Sequence, residues 1–124
     1  EWSMVIPSLI KKGFEDDVIE VWGDGSPIRD IVYSEDVARG MIHMVENKVT
    51  EPVNLGSGTG VTIKEIAEIV SDYFNKELIW DKSKPMGDMK RLMNTTKANS
   101  YGFVPKVSLK EGINRTIEWY EKNK

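Results

Sequence analysis

The chain has 124 residues and a mass of 14.1 kDa, the length of one domain with a single modest core and too short for two. Forty per cent hydrophobic and thirty per cent charged residues place it among globular rather than disordered chains. A net charge of -3 argues against nucleic acid as the principal partner, and the absence of cysteine with a single histidine, His43, leaves neither a disulfide framework nor a zinc site.

From Met4 to Lys12 the apolar residues Val5, Ile6, Leu9 and Ile10 recur at helical spacing, and Gly13 supplies a stop. Pro7 fits such a helix only in its first turn. Val18 to Trp22 alternates as a strand does and ends in the turn Gly23-Asp24-Gly25; Arg29 to Tyr33 reads as a second short strand. Ser34 is placed to cap a helix running to Asn47, with Glu35 and Asp36 in its first turn and Val37, Met41, Met44 and Val45 on one face. His43 falls on this helix as a surface or edge residue.

After Pro52, residues Val53 to Leu55 read as a strand entering Gly56-Ser57-Gly58-Thr59-Gly60. Thr62 and Glu65 then form a capping box for a strongly periodic helix holding Ile63, Ile66, Ala67, Ile69, Val70 and Phe74. Glu77 to Trp80 reads as a strand and Asp81 to Arg91 as a polar loop broken by Pro85 and Gly87. A short helix over Thr96 to Tyr101 precedes a second capping box, Ser108 with Glu111, which opens a helix with Leu109, Ile113, Ile117 and Tyr120 on one side. The fold class is α/β, several helices with short strands. No apolar run is long enough to span a membrane, and the expected place is the cytoplasm.

A strand, then GSGTG, then a helix, then Asp81 about twenty positions on imitates a dinucleotide fingerprint. The third glycine falls one place early, with Val61 where the helix needs its close-packing glycine. The reading preferred here is a glycine-rich strand-to-helix turn, with contact to some ligand left open.

Four stretches carry a family resemblance in order along the chain: VIPSLIKKG at 5–13, VWGDGSPIRDIVYSEDVARGM at 21–41, VNLGSGTGVTIKEIAEIV at 53–70 and YGFVPKVSLKEGINRTIEWY at 101–120. Together they resemble the back half of extended short-chain dehydrogenases acting on nucleotide sugars, the NAD-dependent epimerases and dehydratases. EVWGDGSPIRDI at 20–31 and SKPMGDMKRL at 83–92 are closest in pattern to GDP-L-fucose synthases. The resemblance implies a C-terminal substrate-binding part over residues 1–124, whose strand and helix after Pro52 would complete a Rossmann sheet in the intact enzyme. The dinucleotide-binding domain would lie upstream. NAD or NADP would serve the intact enzyme and none would bind this part; the partner would be a GDP-, UDP- or dTDP-hexose.

By the same resemblance Arg29 contacts the substrate diphosphate, where a guanidinium offers several donors to phosphate oxygens; from the residues alone a surface ion pair with Asp30 or Asp36 is the commoner role for an arginine. Lys12 stands where fucose synthases carry a substrate-contacting arginine, and Trp22 at the nucleotide, where an indole covers a base or ribose. Val5 and Leu9 would line the base pocket, and Lys84, Lys90 and Arg91 belong to a loop that closes over substrate. As residues alone, Trp22, Val5 and Leu9 fit a core, and the three cations a solvated face.

Two positions depart from the fucose synthases. Met4 replaces a histidine used in epimerisation, and Met86 replaces an aspartate that accepts a substrate hydroxyl. The catalytic Tyr-x-x-x-Lys of the family is matched in spacing only by Tyr120 and Lys124 at the end of the last helix, with no nucleotide motif before them. No catalytic residue is therefore assigned, and a non-catalytic binding or assembly module is the competing reading. If Val53 to Gly56 is an exposed strand edge, a homo-oligomer is expected.

Overall fold

The structure, a computed structural model, describes residues 5–85, 87 and 89–123. Met4, Met86 and Lys124, singled out above, lie outside the described residues. Helix α1 spans Val5–Glu15 and buries Leu9, Ile10 and Gly13. Gly13 does not stop it. The helix instead crosses Phe74 there, and a Cβ at position 13 would stand 2.2 Å from the Phe74 ring, so the glycine serves close packing. The end of α1 is fastened by Lys76, whose Nζ donates to the carbonyls of Gly13 and Asp16, each at 2.6 Å. A cation at a helix C-terminus answers both the orphan carbonyls and the dipole.

Strand β1, Val18–Trp22, pairs in parallel with β4, Glu77–Asp81, in a register that sets Ile19 beside Leu78 and Trp22 beside Asp81. Its alternation turns Ile19 and Val21 inward and leaves Glu20 and Trp22 outward. Helix α3, Ile63–Phe74, forms the crossover and carries the complete Thr62–Glu65 capping box. Its buried face, Ile63, Ile66, Ala67 and Val70, joins Leu9, Ile10, Ile19 and Val21 with Ile113 and Ile117 of α5, Leu109–Lys122, in one core. Ser108 caps α5 by accepting the Glu111 amide.

A second sheet, in the order β3–β2–β5, joins Gly60–Thr62 antiparallel and Lys90–Arg91 parallel to β2, Ile28–Asp30. It differs from the sequence expectation in three ways. β2 ends at Asp30 because the chain must turn at Tyr33 to enter α2, Ser34–Glu46. The loop at 81–91 contains β5. And Val53–Leu55, expected as a strand, forms none, while Gly60–Thr62, expected in the glycine-rich turn and helix cap, forms β3 beside β2. The described residues offer residues 53–55 no ladder partner, whereas Gly60 lies so near Ile28 that a Cβ there would stand 2.5 Å from Ile28 Cγ2.

Helix α2 also departs from its pattern. Tyr33 occupies the N-cap without a side-chain cap bond, and Ser34 is the first helical residue. Met41 and Val45 are 60% and 76% exposed, and the buried positions are Gly40 and Asp36. Asp36, 1% exposed, accepts the amides of Lys106 and Val107 and a hydrogen bond from Arg39 Nη2 at 2.7 Å, tying α2 to the segment before α5. Burial alone would raise its pKa, but Arg39 and the two amides outweigh that and hold the carboxyl below its ordinary value. Short helix α4, Thr96–Ser100, buries Ala98.

Candidate substrate cleft

A cleft of about 460 Å³ opens between α1, the turn after β1, β2 and the loop before β5, a size suited to a small organic ligand. Its α1 wall presents Val5, Ser8, Leu9 and Lys12. This spacing of three, four and seven residues puts all four on one helical face. Trp22 enters from the outward face of β1 and is 54% exposed, so it is not a core residue. Leu9 has both roles: it is buried to 2% exposure and still borders the cleft. Val5 packs half-buried on the same core.

Arg29 reaches the cleft from β2, its Nη1 donating to the Ile28 carbonyl at 2.9 Å. Gly87 closes over it, and a Cβ at position 87 would stand 2.9 Å from Arg29 Nη2, so a larger residue would displace the guanidinium. Lys12 donates to the Glu20 carbonyl at 2.6 Å, which spends one of its three donors and fixes its height on the wall. Gly25, at φ 81°, lets the turn pass between Trp80 and Lys64 with no room for a side chain. The described lining thus combines two cations, an indole and an apolar wall with no carboxylate, on a chain of net charge -3.

Five residues singled out from the sequence therefore meet at one place: Val5, Leu9, Lys12, Trp22 and Arg29. Lys84 lies at the rim, its Nζ 5.7 Å from the Trp22 ring centre, within cation–π range. Lys90 and Arg91 do not line the cleft; they form β5 and are exposed there. Ser8 and Gly87 were missed. The α1 periodicity could have found Ser8, which shares the face of the three residues named on that helix.

The glycine-rich turn does not fit a dinucleotide pyrophosphate. The amides of Ser57 and Gly58, which such a ligand would need, donate to the Asp30 carboxylate at 2.7 and 3.0 Å. The start of α3 is closed by its own capping box. A protein carboxylate fills the anion position, so no cofactor chemistry is derived from this turn. Among the described residues no group of acids and histidine is arranged to hold a metal, and no helix is long and apolar enough to cross a membrane.

The fold is that of solved nucleotide-sugar enzymes: a GDP-L-fucose synthetase from Naegleria fowleri bound to NADP superposes with TM-score 0.87 at 25% identity over 98% of this chain and 41% of that one. A UDP-glucose 4-epimerase from Thermotoga maritima, solved with UDP-glucose, gives 0.78 at 27% identity over 98% and 40%. Residues 2–56 match the NAD dependent epimerase/dehydratase family, and GDP-L-fucose synthase 1 of Arabidopsis thaliana is 40% identical over 99% of the chain. The chain spans about 41% of the length of that relative.

Proposed function

We propose that the cleft binds the diphosphate and nucleoside of a nucleotide sugar, within a larger NAD(P)-dependent epimerase, dehydratase or reductase. In this reading Arg29 is the principal phosphate ligand, Lys12 adds a second positive charge, Trp22 covers the nucleoside, and Val5 and Leu9 give the apolar wall. Lys84 closes the rim. The supporting observation is the convergence of Arg29, Lys12 and Trp22, from three different elements, on one cleft whose described lining has no carboxylate. The names of the matched relatives favour a GDP-linked hexose. Met4 and Met86, lacking the basic or acidic groups described above, favour a reaction other than the fucose synthase epimerisation.

The nicotinamide group, held by a part of the protein outside these residues, would supply hydride exchange at a hexose carbon. What this chain contributes is positioning. By anchoring the diphosphate it limits where the sugar can go, which removes much of the entropic cost of bringing two reactants together.

Arg29→Ala in the full-length protein is expected to weaken nucleotide-sugar binding by about 2 to 4 kcal/mol, the loss of a charge-assisted and partly buried contact. Arg29→Lys should recover part, since the charge remains without the fork of donors. Lys12→Ala should cost less, because its ammonium already spends a donor on Glu20. Calorimetric titration with GDP-mannose and UDP-glucose checks all three, and unchanged affinity in Arg29→Ala would remove the assignment.

A further inference from the structure

Three separated stretches of chain meet at the Asp30 carboxylate. Oδ1 accepts the Ser57 amide at 2.7 Å and the Ser57 hydroxyl at 2.8 Å; Oδ2 accepts the Gly58 amide at 3.0 Å and the Met93 amide at 3.2 Å. Gly56 is pressed against the same group, with room for a Cβ only 3.0 Å from Oδ2 and 2.9 Å from Met93 Sδ. Burial by itself would raise the Asp30 pKa, but the bonds from Ser57, Met93 and Gly58 prevail and keep the carboxyl below its usual value.

The sheet containing Asp30 is weak on its own terms. Its strands have three, three and two residues, and ladders this short hold few hydrogen bonds. Both neighbours of β2 part from it near Asp30. The chain reaches β3 through the turn at 56–59, and the chain leaving β5 passes Met93. One carboxylate therefore fastens both flanks of the strand that carries Arg29. The Met93 bond also holds the chain just beyond β5, the strand that follows the segment whose Pro85 and Gly87 form a wall of the cleft.

We infer that Asp30 is a positioning residue for the substrate site: by joining the Gly56–Thr59 turn and Met93 to β2, it fixes Arg29 and the loop that covers it in one relation. The inference rests on the reading of Arg29 as the phosphate ligand. The role needs a carboxylate, because four donors converge on two acceptor oxygens. An asparagine offers one oxygen and sets an NH₂ group against N–H donors.

The test is a double-mutant cycle in the full-length protein, with GDP and UDP as probes and the tighter of the two carried through. Asp30→Asn is expected to weaken nucleotide binding by about tenfold, and by less than about twofold once Arg29 is alanine, the mark of residues acting through one another. Asp30→Glu, which keeps the charge and both oxygens, should recover part of the loss. An equal loss in both backgrounds would make Asp30 merely structural and overturn the inference, as would affinity unchanged in Asp30→Asn. Should Arg29→Ala itself bind normally, the reading of the site fails instead. If Asp30→Asn does not fold, Ser57→Ala removes one of the four bonds and leaves the carboxylate; a loss of about two- to threefold that vanishes with Arg29→Ala is expected, and wild-type affinity would overturn the inference.

Discussion

In the parallel pair β1–β4, Ile19 and Val21 face a core closed by α1, α3 and α5, and Ile19 is fully buried. In the sheet β3–β2–β5 no strand residue is buried, and the junction is a carboxylate with four polar donors. The first sheet is held by removal of apolar surface from water, which is non-directional and insensitive to pH. The second is held by directional bonds to an ionised group, which are short-range and exacting. The cleft draws on both: α1 and Trp22 come from the first region, Arg29 from the second. The durable part supplies shape and the polar part supplies the aim of the guanidinium.

The largest effect that sharpens this contrast is expected from Ile66→Ala, in the middle of the α3 face at 0% exposure. It should destabilise by about 2 to 5 kcal/mol through lost transfer energy and an unfilled cavity, with the shape of the pH profile unchanged, as read by urea unfolding at several pH values. A profile altered in shape would mean the apolar region is not independent of the carboxylates.

Asp36→Asn comes next, with a loss of about 1 to 3 kcal/mol at neutral pH from donors left poorly matched. The sign of its pH dependence follows from the depressed pKa. A carboxyl lowered in the folded state contributes fully above its unfolded value, and that contribution fades as pH falls through the folded value. Stability of the wild type should therefore fall more steeply with acid than that of Asp36→Asn, and parallel profiles would break the assignment. Smallest is Thr62→Ala, which opens the capping box of α3 and should cost about 0.5 to 2 kcal/mol by thermal unfolding. A variant as stable as the wild type would show that packing alone holds the start of α3.

Helices α1, α3 and α5 were readable because their apolar residues repeat at the helical period, and α3 and α5 start at a Ser or Thr followed three places on by Glu. The convergence of Val5, Leu9, Lys12, Trp22 and Arg29 was readable only through the family resemblance, since periodicity says which face a residue lies on and not what stands opposite. Val53–Leu55 shows the limit: alternation and β-branching say that a segment can be extended, but a strand exists only where a partner supplies the other half of its ladder. β3 was hidden by Gly60, which signals a turn in sequence and close strand approach in space. Asp30 and Asp36 were read as possible ion-pair partners of Arg29, or as a first-turn acid, because an aspartate bound to amides looks in sequence like any exposed aspartate. Asp36 at the head of an amphipathic helix could not announce that the residues meeting it lie 70 positions further on.

Lys76 bears on the order in which the molecule is assembled. Its bond to Gly13 joins residues 63 positions apart. The clamp sits on the turn between α3 and β4, so the carbonyls of Gly13 and Asp16 lack it until that turn has arrived. Closing a loop of this length carries an entropic cost that later contacts must offset. The wall bearing Val5, Ser8, Leu9 and Lys12 therefore gains its last fastening only with that turn. Completion of the cleft is tied to completion of the apolar layer, and a chain whose core is unfinished also has an unfinished site.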